Sequence, residues 1–171
     1  MDRRYIWEVA REEVNRLCDL CQIDVNLFVM DIGADNNGKV SKIHESDTVW
    51  SIVINQSKMV DNSTIIHTAR HELRHVWQRT HYAHIADFWR EWTISHQCKD
   101  NDDSYLFSAT ELDAERFANS QCTLADSSVL VELTSKARGK SFREQLKSCQ
   151  DWALANPQLV SQKVRMRLRI F

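Results

Sequence analysis

Only 3 glycines and 1 proline stand among the 171 residues. Few turns are therefore enforced, and helix-rich architecture is favoured. No apolar run approaches the roughly 18 residues that a membrane span needs. The stretch from Met1 to Ala10 carries Arg3 and Arg4 with no apolar run behind them, so it does not have the make-up of a secretory signal. An excess of one charge is also missing. The 22 Lys+Arg face 24 Asp+Glu, a net charge of −2 that makes no global electrostatic case for nucleic acid. The five cysteines, Cys18, Cys21, Cys98, Cys122 and Cys149, are odd in number, which fits reduced thiols better than a disulfide framework. The expectation is a soluble, cytoplasmic protein that does not engage a membrane.

What is present is ordinary globular composition, 43% hydrophobic and 27% charged, which argues against disorder and fibrous repeats. No internal repeat, low-complexity tract or linker divides the chain, so residues 1–171 are expected to form one domain. Cys18 and Cys21 make a Cys-x-x-Cys, but no second pair or His partner stands at ligand spacing. Two ordinary, semi-buried thiols are the simpler expectation.

Apolar residues at helical spacing predict an amphipathic helix from Tyr5 to Leu20. Val25 to Met30 has strand character and ends in a turn signal at Asn36-Asn37-Gly38. Lys39 to His44 is a candidate second strand, and Thr48 to Asn55 a clear third. Asp61-Asn62-Ser63 offers N-caps to a helix from about Thr64 to Arg79, with Ile66, Ala69, Leu73, Val76 and Trp77 facing inward. Further helices are predicted over Tyr82–Trp92, Ser108–Cys122 and Phe142–Ala155, with a polar loop over Lys99–Ser104 and a stop at Pro157.

The residues that carry chemistry are His71-Glu72-Leu73-Arg74-His75. Four residues apart on a helix, two imidazoles point the same way, as two metal ligands must. Glu72 sits beside them, within reach of a water at the metal. A catalytic zinc generally takes three protein ligands. His81 stands at metzincin spacing, but Gln78 replaces the glycine that turns those chains back. On a continuing helix His81 would be rotated about 240° from His75. No Met-turn follows either, since Met166 is the only downstream methionine. The other candidates are Glu111 and Glu115, four apart on one helix face, one able to ligate while the other accepts a hydrogen bond from a ligand imidazole. Ala114 and Ala118 on the neighbouring face would permit close packing against the His-bearing helix.

A strand, then His-Glu-x-x-His on a helix, then Glu-x-Asp-Ala-x-x-Phe-Ala at Glu111 to Ala118 resembles the ImmA/IrrE family of gluzincin-type metallopeptidases. The match covers Ile52–Asn55, Ala69–His75 and Glu111–Ala118. Arg74 stands where members of that family carry a small residue. The resemblance implies an α+β, zincin-like fold, with a small, mostly antiparallel sheet packed on the active-site helix and a helix-rich C-terminal half. It implies Zn²⁺ held by His71, His75 and Glu111, with Glu72 as general base. The implied activity is hydrolysis of peptide bonds in a protein substrate, often a transcriptional regulator, by zinc-activated water.

Tyr82, His81, His84, His96 and Tyr105 are candidate oxyanion donors. Thr48–Asn55, if it forms the sheet edge, would bind an extended substrate by strand addition. The C-terminal run Lys163 to Phe171 alternates basic and apolar residues, as an edge strand with a solvated Arg face would, and gives nucleic acid its one minor foothold. The rival to an enzyme is a zincin-fold regulatory or protein-interaction domain that cleaves nothing.

Overall fold

The computed structural model describes residues 1–18, 23–33, 36–42, 49–96, 103–120 and 123–169. It is α+β and helix-rich, with a small mixed sheet. No helix among the described residues is long and apolar enough to cross a membrane. The chain falls into two compact units, Met1–Trp77 and Gln78–Phe171.

The first unit opens with α1 (Arg3–Cys18), whose Ile6, Ala10, Val14 and Leu17 form one buried stripe at helical spacing. Strand β1 (Val25–Met30) alternates buried and exposed residues, the signature of one covered face. Strands β2 (Gly38–Lys42) and β3 (Trp50–Asn55) complete a sheet of order β1-β3-β2. The pairing is not mostly antiparallel: β1 runs parallel to β3, from Val25↔Trp50 to Met30↔Asn55, and β2 antiparallel to it. β3 is therefore the central strand, not an edge open to a substrate. Its near-continuous burial is what a strand covered on both faces requires.

The turn chemistry also differs from expectation. Gly33 takes the left-handed conformation (φ 59°), with its N–H donated to the Asp31 carboxylate, whereas Gly38 already belongs to β2. Residues 43–48, including His44 of the expected second strand, and residues 19–22, including Leu20 and Cys21, lie outside the described residues.

Helix α2 (Asn62–His81) starts on the Asp61 carboxylate, which accepts the Thr64 N–H at 2.7 Å and the hydroxyls of Ser63 and Thr64. Its buried stripe is Ile65, Ala69, Leu73 and Val76, with Trp77 beside it. Ile66, expected inside, is on the surface, because that stripe is one residue out of phase with it. Arg74 is fully buried with its guanidinium 4.0 Å from the Trp77 ring centroid, a cation–π contact that occupies this unusual position.

The last turn of α2 enters the second unit, which continues with α3 (Ala83–His96), α4 (Asp103–Leu106), α5 (Ala109–Asn119), α6 (Ser128–Ala137), α7 (Phe142–Ala155) and α8 (Gln162–Arg167). Its core gathers Trp89 and Trp92 of α3, Leu112 of α5, Leu130 and Leu133 of α6 and Cys149 of α7. Both buried indoles find acceptors, Trp89 in the Thr134 hydroxyl at 2.9 Å and Trp92 in the Gln145 side chain at 2.6 Å. The tryptophans of α3 are thus core residues.

Two expectations fail here. Asp103 and Ser104, assigned to a loop, open α4, while 97–102 lie outside the described residues. The basic C-terminal run is not a strand but α8, started by the Ser161 hydroxyl on the Val164 N–H at 3.3 Å. Val164 is buried and Leu168, four on, half-buried, while Met166 between them is exposed. That is helical and not alternating burial. Residues 170–171 of the run lie outside the described residues.

Candidate metal centre

The sequence Thr68–His75 lies wholly within α2, so His71 and His75 are separated by one helical turn. Their Nε2 atoms are 3.1 Å apart, with the rings nearly perpendicular and their centroids 4.8 Å apart. Two nitrogens held at 2.0–2.1 Å from a tetrahedral ion would be separated by about 3.4 Å. The imidazole pair is therefore already near ligating geometry. His67, a further turn back, stacks on His71 at 6.3 Å between centroids. Its signal in the sequence is the His-x-x-x-His spacing of residues 67 and 71.

Glu111 is in the first turn of α5, where the macrodipole favours a carboxylate. The Ser108 hydroxyl caps this helix by accepting the Glu111 N–H at 3.4 Å. His71, His75 and Glu111 form a group able to hold a metal ion: each offers one ligand atom, those atoms lie within 4.8 Å of one another, and all three residues are half-buried. Two imidazole nitrogens and a carboxylate oxygen suit a divalent transition-metal ion.

The other candidates are placed differently. His81 ends α2 on the surface, since the helix continues to it without the bend that would return it to His75. Glu115 contacts Asn119, whose amide donates to its carbonyl and carboxylate. Among the described residues neither joins such a ligand group. Of the suggested oxyanion donors, Tyr82 donates its hydroxyl to Ser127 at 3.0 Å, and His96 stacks on Phe142 at 4.2 Å. His84 and Tyr105 are exposed.

Glu72, between the two histidines, is buried and faces the start of β2. Gln78, one turn beyond His75, is also buried; its amide donates to the Thr110 carbonyl at 3.0 Å and to Asp113 at 2.8 Å. Asp113 in turn accepts from Arg116, which reaches Asp126 at 2.9 Å. The sequence offered no periodic signal for this polar chain, because all its members look like surface residues.

Among the described residues no cysteine joins a metal-holding group. Cys149 is buried and burial pushes its thiol up to about 12, which makes it inert. Cys18 is half-buried, and Cys21, Cys98 and Cys122 lie outside the described residues. No protein-family model, curated protein or solved structure matches the chain.

Proposed function

We propose that the chain is a zinc-dependent metallopeptidase of gluzincin type, similar to the ImmA/IrrE proteins, that hydrolyses peptide bonds of a protein substrate in the cytoplasm. The observation that carries this reading is the convergence of His71, His75 and Glu111 into one N, N, O donor set. Glu72 lies on the same helix, between the two histidines. Zinc, when bound, supplies a Lewis acid that polarises a carbonyl and makes water acidic near neutral pH.

The rest of the chemistry falls to the chain itself. His71 and His75 present Nε2 and Glu111 a carboxylate oxygen. Glu72 takes the proton of the attacking water on its carboxylate and delivers it to the departing amine nitrogen.

The test is Glu72→Gln in zinc-loaded protein, assayed on an unfolded, fluorescently labelled protein. Hydrolysis should fall at least about 100-fold with zinc content unchanged. Equal hydrolysis by both proteins, or none by the wild type, would remove the peptidase reading and leave a binding domain.

A further inference from the structure

Gly38 has no conformational need to be glycine. Only Gly33 and Gly139 among the described glycines have positive φ. What Gly38 lacks is a Cβ, and the space that atom would take is filled by Glu72. A Cβ at position 38 would stand 2.8 Å from Glu72 Cγ, 2.9 Å from Oε1 and 3.0 Å from Cδ. Carbon atoms in contact prefer about 3.5–4.0 Å, so all three approaches are overlaps.

The strand cannot easily retreat. Gly38 pairs with Ile54 in the antiparallel ladder. The two residues before it are bound by Asn55, which is fully buried at the end of β3: its side-chain amide donates to the Asn36 carbonyl at 2.9 Å, and its backbone N–H to the Asn37 carbonyl at 2.8 Å. The Asn55 side chain is itself oriented, accepting from the Ser57 N–H and hydroxyl. Asn55 thus fixes the strand start, and the strand start borders the Glu72 carboxylate on one side.

We propose that Gly38 is a positioning residue for the general base, with Asn55 as its support: the bare backbone of β2 leaves the Glu72 carboxylate its place, and any side chain there displaces it. This rests on the reading of Glu72 as the proton acceptor, but the placement can be tested apart from the chemistry.

The experiment compares wild type and Gly38→Ala, both zinc-loaded and carrying ¹³C-carboxyl glutamate, with the Glu72 resonance assigned by its loss in Glu72→Gln. Gly38→Ala should move the Glu72 resonance and leave zinc content and the Glu111 resonance unchanged. It should also lower kcat at least about 10-fold with KM little altered. An unmoved Glu72 resonance, or a moved one with full kcat, overturns the proposal. If Gly38→Ala does not fold, Gly38→Ala/Glu72→Ala should restore folding, because the second change deletes all three clashing atoms; failure to restore it overturns the proposal. If the wild type cleaves nothing, the peptidase reading fails, while the resonance still decides whether Gly38 sets the place of Glu72.

Discussion

The Gln78 side-chain amide lies 2.8 Å from the Asp113 carboxylate, and the same nitrogen donates to the carbonyl of Thr110, the residue before Glu111. Asp113 is fully buried. Removing a donor from a buried carboxylate leaves part of its desolvation cost uncompensated. Gln78→Leu should therefore destabilise the fold by about 2–3 kcal/mol, read as a lower urea midpoint with unchanged slope. A variant as stable as wild type would show that the contact contributes nothing.

Acid sensitivity follows from the same network. The Arg116 side chain, and then the Ser128 N–H, hold the Asp126 carboxyl well below its ordinary 3.8. A carboxyl depressed by folding adds stability that is fully present above its unfolded value and is lost as pH falls toward its folded one. Asp126→Asn should be less stable than wild type at pH 7, with the gap narrowing below about pH 4. Melting temperature against pH checks this, and a gap constant down to pH 2 would contradict it.

Gln145 joins three elements of the second unit. It accepts from Trp92 and donates to the carbonyls of Ala137 and Lys140. Gln145→Ala strands the buried Trp92 N–H and should cost about 2–3 kcal/mol. Gln145→Glu keeps an acceptor for the indole but turns a carboxylate oxygen toward the Ala137 and Lys140 carbonyls, so it should destabilise as well. Denaturant unfolding checks both, and either variant as stable as wild type would contradict the account.

How far the sequence was legible depended on how local the signal was. The helix bearing His71 and His75, strand β1 and α7 were readable because period and caps agree within one segment. Glu111 was readable only through its motif, as one of three candidates. The order β1-β3-β2 was not, since nothing local says which strand lies centrally, although the apolar run of β3 hinted at burial on both faces. Gly38 looked like a turn residue because composition cannot distinguish glycine required by φ from glycine required by a neighbour, here Glu72. The C-terminal alternation misled because arginine is at home in strand edges and helix surfaces alike, and Val164 with Leu168 fits both periods.

That last segment gives a direct contrast. In α8, Val164 is buried and Met166 exposed, whereas a strand would put both on one face. Val164→Ala should destabilise by about 1–2 kcal/mol and Met166→Ala by less than about 0.5. Equal effects in thermal unfolding would favour the strand.

The most direct test of the metal centre is zinc per chain by elemental analysis, on protein prepared without a His-tag or chelator, for wild type and Glu111→Ala. About one zinc in the wild type and a clear loss in the variant are predicted, since the variant keeps only the two imidazoles of a three-ligand set. Full zinc in both would contradict Glu111 as a ligand, and none in the wild type after dialysis against zinc would contradict the centre itself.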